Sequence, residues 1–255
     1  MVDAPALQPS NAHAVVVVPC YNEAQRLDPQ GFLSLVAAGV HVLFVNDGST
    51  DATRSVLDEL ETSADDVSVV HLPRNVGKGE AVRAGLLAGI ERGATIVGYL
   101  DADLATPAGE YVDLVDHLRN SSDYQVVLGS RVALLGRHIE RRMWRHYTGR
   151  VFATFASMVL RLSVYDTQCG AKTFQVSQQL RDALADPFNS RWAFDVELLG
   201  RLVRGSKRTS GVPIGAFLEV PLNEWRDQPG GKLNICASLK ATTDLPKIAW
   251  KIRRR

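Results

Sequence analysis

Two aspartates separated by one residue, Asp101 and Asp103, follow the apolar run Ile96–Leu100. Carboxylates at i and i+2, just past a buried strand, supply the hard oxygen ligands that Mg2+ or Mn2+ takes. Mg2+ keeps few protein ligands beside phosphate oxygens, so a metal-bridged diphosphate suits the pair, with the metal offsetting charge on a departing diphosphate. Alone, Asp-x-Asp is also an ordinary acidic loop; its place after an apolar strand favours the metal reading. Pro19-Cys20-Tyr21-Asn22-Glu23 and Asn46-Asp47-Gly48-Ser49-Thr50-Asp51 each follow an apolar run as well. An acid at the end of the second run can accept hydrogen bonds from a ribose or a base N–H, while Asp47 and Asp51 can equally be turn and cap residues. Asn75-Val76-Gly77-Lys78-Gly79 sets glycines and a lysine at a helix start, a phosphate-cradling arrangement.

Several chemistries are disfavoured. The full phosphate-loop spacing is missing, against an ATPase, and no GxGxxG follows the first apolar run, against a dinucleotide oxidoreductase. The histidines show no ligand spacing. Cys20, Cys169 and Cys236 lie far apart without a CxxC pair, so neither a disulfide framework nor structural zinc is expected, which suits a reducing compartment.

The elements that must carry these residues are legible. Ala14–Val18 is a continuous β-branched run of the kind buried on both faces of a parallel sheet, and Val42–Val45, Val67–Val70, Ile96–Leu100 and Gln125–Leu128 repeat it. Helical patterns over about 31–38, 51–62, 78–92 and 107–120 separate them, with Asp51 and Pro107 near two helix starts. This alternation predicts an open, mostly parallel sheet flanked by helices, with ligands at the carboxyl ends of its strands. Beyond it, 139–162 and 192–204 read as helices and Gly215–Pro221 as a return to the sheet. Residues 1–12 read as a flexible lead, 13–231 as one domain and 232–255 as a basic amphipathic helix.

Hydrophobic residues make up 45% and charged residues 22%, an ordinary soluble composition, and a net charge of +1 argues against nucleic acid as a partner. The basic charge is nevertheless clustered. Six arginines stand between Arg131 and Arg150 against Glu140, and seven basic residues between Lys232 and Arg255 against Asp244. Such patches point to phosphates or a membrane surface, although a solvated helix face is the usual fate of a charge run. The terminal helix, ending Trp250-Lys251-Ile252-Arg253-Arg254-Arg255, reads as an interfacial anchor or as a fraying end. With neither a signal-peptide pattern nor an apolar run of about 18 residues, membrane contact is expected to be peripheral.

The ordered set PCYNE, NDGSTD, NVGKGEAVRAG, DADLATP, GSR, DTQCGAKTF and RWAFDVELL, over about residues 14 to 235, resembles the family 2 glycosyltransferases. Within them it is most similar to the dolichyl-phosphate β-glucosyltransferases and related polyprenyl-phosphate glycosyltransferases. The resemblance implies the Rossmann-like α/β fold called GT-A, with a helical acceptor-side segment. It implies a hexosyltransferase moving a sugar, UDP-glucose being the expected donor, to a polyprenyl or dolichyl phosphate with Mg2+ or Mn2+. A soluble acceptor, or nucleotide-sugar binding without turnover, are the alternatives.

By the same resemblance Pro19, Tyr21, Glu23, Asp47 and Lys78 belong to the nucleotide pocket, Asp101 and Asp103 to the metal and diphosphate, and Asp166 to the acceptor as the catalytic carboxylate. Asp103 is counted with Asp166 as catalytic. Trp192 and Asp195 belong to a segment closing over the sugar, and Arg131, Arg142 and Arg145 to the acceptor phosphate. The implied location is the cytoplasmic face of a membrane, reached through the basic C-terminal helix, and a homo-oligomer is compatible. Asn46, Ala105 and Ala171 depart from the family pattern, the last in a way that can widen the acceptor or sugar pocket.

Overall fold

The computed structural model describes residues 13–140, 154, 156–158, 160, 162–228 and 246–252. In chain order the elements are β1 (Ala14–Cys20), α1 (Pro29–Ala37), β2 (Val40–Asn46), α2 (Thr53–Ser63), β3 (Val67–His71), α3 (Lys78–Glu91), β4 (Ile96–Leu100) and α4 (Ala108–Asn120). They continue with β5 (Val126–Ser130), β6 (His138–Glu140), β7 (Ala171–Gln175), α5 (Gln178–Leu184), α6 (Phe194–Arg204), β8 (Phe217–Pro221) and β9 (Glu224–Arg226).

Seven strands form one sheet in the order β3-β2-β1-β4-β7-β5-β8. All neighbours run parallel except β7, which is antiparallel to both β4 and β5. The β-branched runs form these strands because both sheet faces are covered and alternate side chains enter opposite cores. Val15 and Val17 pack in one core with Leu86 of α3 and Leu199 of α6; Val16 and Val18 pack in the other with Phe32 of α1 and Leu114 of α4. Helix α3 lies close on the sheet because Gly85 faces Val17 and Val45, where a Cβ would collide.

The first five strands and four helices lie where the sequence places them, with shifts of a few residues at their ends. Three differences stand out. Strand β7 is not among the elements read from the sequence: Lys172 and Thr173 give it a polar look, yet both are fully buried. The stretch read as a helix from 139 opens instead within β6, which pairs in parallel with β9; helix is seen at 154, 156–158 and 160, and 141–153 lie outside the described residues. Of the terminal segment, 246–252 is helical, with Ile248 and Ile252 buried and Ile252 meeting the chain at Gly200 beside Leu160. The apolar side expected to face a membrane is therefore turned into the protein at these two isoleucines, leaving Trp250 exposed. The lead 1–12 lies outside the described residues.

Candidate active site

The carboxyl ends of β1, β2 and β4 are adjacent because β1 sits between the other two. The first two loops are stitched together. Asn22, at φ 52°, accepts a hydrogen bond from the Thr50 N–H (2.8 Å), and the Asn22 N–H donates to Ser49 Oγ (3.0 Å). The Glu23 N–H donates to Thr53 Oγ1 (2.8 Å), and Asp51 accepts from the Thr53 N–H (3.0 Å). Glu23 is buried with its carboxylate on Arg26 (2.7 Å), while Pro19 and Tyr21 are half-buried at the rim.

Asp47 is buried and accepts the backbone N–H groups of Val76 (2.7 Å) and Gly77 (2.9 Å). Expected on the nucleoside, it here shapes the glycine–lysine turn that opens α3. Burial raises its carboxyl above the usual range, and the two amides partly offset that. Gly77 has φ 97°, a conformation that glycine adopts without a Cβ penalty. The turn is backed by Arg191, whose guanidinium donates to the carbonyls of Val76 and Asn75 (both 3.3 Å).

The next residue, Lys78, carries its ammonium to 2.5 Å from Asp101 Oδ1. Burial opposes that charge, but the carboxylates of Asp101, Asp195 and Asp103 hold Lys78 above the ordinary lysine value. Asp103 accepts from the Ala105 N–H (3.1 Å); burial, then the neighbouring Asp101 carboxylate, push its carboxyl up. Two crowded carboxylates of this kind fit a hard divalent cation, which would relieve their repulsion. Among the described residues no group of three His, Cys, Asp or Glu gathers into a metal cage, so a cation here would take its remaining ligands from outside these side chains.

The DTQCG segment meets the aspartate pair through Gly170, whose carbonyl accepts the Asp101 N–H (3.0 Å). Four residues earlier, Asp166 is buried and gripped by Arg131, at 2.6 Å from Nε and 2.8 Å from the terminal nitrogen. Both their backbones are fixed: the Arg131 N–H donates to Asp166 (3.2 Å), and the N–H groups of Tyr165 and Asp166 donate to Glu219 (2.8 and 2.7 Å). The guanidinium lies over Trp225, 5.3 Å from the ring centre. Burial disfavours its charge, but Asp166 raises Arg131 above the usual arginine value. Arg142 and Arg145 lie outside the described residues.

Beneath this rim lies a buried polar cluster. Lys172, fully buried in β7, donates to the Cys169 carbonyl (2.5 Å) and to Asp195 Oδ1 (3.0 Å), and Tyr99 donates its hydroxyl to the same carboxylate. Burial pushes Asp195 up to about 7 and Lys172 down to about 8. Asp195, expected against the sugar, is thus engaged inside the protein. Trp192, three residues earlier, is half-buried where Ser190 Oγ accepts the Ala193 N–H (3.0 Å). Arg131, Asp166, Asp101, Asp103 and Lys78 are thereby linked into one constellation. Lys172, Arg191 and Glu219 are the participants not singled out from the sequence. A lysine within the apolar-flanked AKTF was the one available signal.

Comparison with known proteins identifies the family and the fold. The family model described as glycosyl transferase family 2 matches residues 15–187. The chain is 36% identical to the dolichyl-phosphate beta-glucosyltransferase of Drosophila melanogaster, over 91% of this chain and 71% of that protein. It is 31% identical to the dolichyl-phosphate beta-glucosyltransferase ALG5C of Trichomonas vaginalis (96% and 73%) and 27% identical to the polyprenol monophosphomannose synthase of Mycolicibacterium smegmatis (82% and 79%). Among solved structures, the mannosyltransferase PcManGT from Pyrobaculum calidifontis, in complex with GDP-Man and Mn2+, shares the fold at a TM-score of 0.50 and 17% identity, over 98% of this chain and 75% of that one. The chain belongs to glycosyl transferase family 2 and is a hexosyltransferase of the GT-A fold.

Proposed function

We propose that this enzyme transfers glucose from UDP-glucose to a polyprenyl or dolichyl phosphate at the cytoplasmic face of a membrane. The observation that carries the reading is the junction at Gly170, which ties the Asp101–Asp103 pair to the Asp166–Arg131 pair. One pair suits a donor diphosphate and the other a phosphate-bearing acceptor. The names of the relatives, several of them dolichyl-phosphate β-glucosyltransferases, favour this acceptor and this sugar.

In this reading a phosphate oxygen of the acceptor attacks the anomeric carbon, the bond to the diphosphate oxygen breaks, and UDP departs with inversion. The attacking oxygen is already anionic near neutral pH, so positioning and charge stabilisation matter more than a strong base. Arg131, with Arg142 and Arg145, holds the acceptor phosphate, since a guanidinium can grip two of its oxygens. Asp166 orients that arginine and can take the remaining proton of a phosphate monoester. Pro19, Tyr21 and Glu23 line the nucleoside end, and Trp192 borders the sugar. Asp101 and Asp103 would hold Mg2+ or Mn2+, which would supply Lewis-acid neutralisation of charge on the leaving diphosphate.

The test is incubation with UDP-glucose, polyprenyl phosphate and Mn2+ or Mg2+, followed by organic extraction. UDP release matched by glucose in the lipid phase is expected. UDP release with glucose only in a water-soluble product would overturn the lipid acceptor, and transfer from another nucleotide sugar alone would overturn the donor.

A further inference from the structure

The ammonium of Lys78 occupies the ground that a divalent cation would need. It stands 2.5 Å from Asp101 Oδ1, and the carboxylates of Asp195 and Asp103 act on it as well, so one lysine already balances part of the negative charge at this site. Its backbone is anchored: Lys78 is the first residue of α3, and Asp47 holds the amides of the two residues before it. The side chain is only partly exposed, but its ammonium is a point charge on four rotatable carbons, so it can reach a second anion without moving the backbone. An ammonium bonded to a carboxylate oxygen and a dication coordinated by that oxygen exclude each other. A diphosphate at the start of α3, where backbone N–H groups and the helix dipole favour anions, offers the displaced ammonium a new partner.

We propose that Lys78 is a resident counter-cation of the aspartate pair, which releases Asp101 to the divalent metal as it moves onto the donor's diphosphate. The inference rests on the donor-side reading above and adds that the coupling between metal and nucleotide diphosphate runs through Lys78. Metal alone meets a carboxylate already neutralised, and diphosphate alone meets a lysine already engaged. Each ligand removes the other's obstacle, so their coupling is reciprocal and runs through one side chain.

Electron paramagnetic resonance of Mn2+, titrated into the full chain with and without UDP, measures this directly and needs no turnover. The parent is expected to bind Mn2+ weakly alone and far more tightly with UDP, with UMP, which lacks the second phosphate, much less effective. Lys78→Met removes one positive charge at contact distance, so it should bind Mn2+ alone about tenfold more tightly. In the same variant the gain from adding UDP should shrink about tenfold, because the handover is lost. Lys78→Gln should behave likewise, and a single cooperative melt in both variants shows that they remain folded. Unchanged Mn2+ affinity without UDP, or an undiminished gain from UDP, would overturn the handover and leave the proposed function standing. No Mn2+ binding by the parent even with UDP would overturn the handover and the metal reading together.

Discussion

Gly170 lies directly against the carboxylate of Asp101, so closely that a Cβ at this position would fall within 2.7 Å of even the farther carboxylate oxygen. Its carbonyl also accepts the Asp101 N–H, so backbone and side chain of Asp101 are both set by the last residue of DTQCG. Gly170→Ala must therefore displace either the carboxylate or the loop that carries Asp166. Misplacement on the ångström scale costs on the order of a hundredfold in turnover. The variant is expected to fold, to lose turnover by about that factor, and to bind Mn2+ in the presence of UDP more weakly. Steady-state kinetics together with Mn2+ resonance check it; parent-like values in both would mean that the two segments need not fit so tightly.

Asp166 and Arg131 form a buried pair, and removing one partner leaves the other's charge without compensation. A cost of about 3–5 kcal/mol follows for Arg131→Met, read as a lowered midpoint in urea. Asp166→Asn keeps shape and several hydrogen bonds and is expected to cost less. Its turnover should nevertheless fall strongly while UDP binding stays near the parent value, because the donor end is built from other loops. Near-normal turnover in Asp166→Asn would remove this carboxylate from the reaction.

What the sequence discloses follows from how local each signal is. Ala14–Val18 and Ile96–Leu100 read as strands because continuous apolar runs have one good use in an α/β sheet. The strand-end acids Asp47, Asp101 and Asp103 follow from those strands. The partners of Asp47, by contrast, are 29 and 30 residues away, and nothing in NDGSTD says that its oxygens bind Val76 and Gly77. Lys172 is harder still, since a lysine followed by threonine reads as solvent-facing, and the Cys169 carbonyl, the cross-strand neighbour Tyr99 and helix α6 make its burial tolerable. The terminal helix shows the reverse error: its amphipathic pattern is real, but a pattern does not say whether Ile248 and Ile252 face lipid or protein.

The Lys172–Asp195 pair ties together the three segments that carry the site. Lys172 fixes the carbonyl next to Gly170, Asp195 lies in the first turn of α6, and Tyr99 stands two residues before Asp101. Lys172→Met alone leaves a buried carboxylate uncompensated and should destabilise the fold by about 3–5 kcal/mol. Adding Asp195→Asn removes that charge while retaining an acceptor for Tyr99, and most of the stability should return. Turnover of the double variant should stay low with UDP affinity little changed, because Cys169 and α6 are no longer held to one ammonium. Thermal melts and the split between kcat and KM separate the cases; recovered kcat with recovered stability would make the pair structural filling only.

Asp51 ties the loop after β1 to the start of α2 by accepting from the Thr53 N–H (3.0 Å), Thr53 Oγ1 (2.5 Å) and the Ala24 N–H (3.3 Å). Desolvation raises its carboxyl, but these bonds together outweigh it and hold Asp51 below the usual aspartate value. A folded-state value that is depressed gives stability present above the unfolded value and lost as pH falls through the folded one. Asp51→Ala should thus be less stable by about 1 kcal/mol at neutral pH, the worth of a lost helix-start acceptor. The difference should close as pH drops below the ordinary aspartate range, where the parent's carboxylate is protonated too. Urea melts at neutral and strongly acidic pH give the comparison, and a gap that widens on acidification would contradict the assignment.

Membrane contact, if it runs through the terminal helix, has to use what the fold leaves outside. Ile248 and Ile252 are buried, whereas Trp250 is 53% exposed and Lys247 and Lys251 flank it, the latter donating to Asn189. An indole with cationic neighbours suits the headgroup region of an anionic bilayer. Trp250→Ala is therefore expected to reduce flotation with phosphatidylserine-containing vesicles while leaving the melting temperature unchanged. Ile252→Ala should do the opposite, lowering stability by about 2–5 kcal/mol through a cavity beside Gly200 and Leu160, with flotation intact below the melting point. Flotation that follows Ile252 rather than Trp250 would mean that the helix leaves the protein and inserts its isoleucines when it meets lipid.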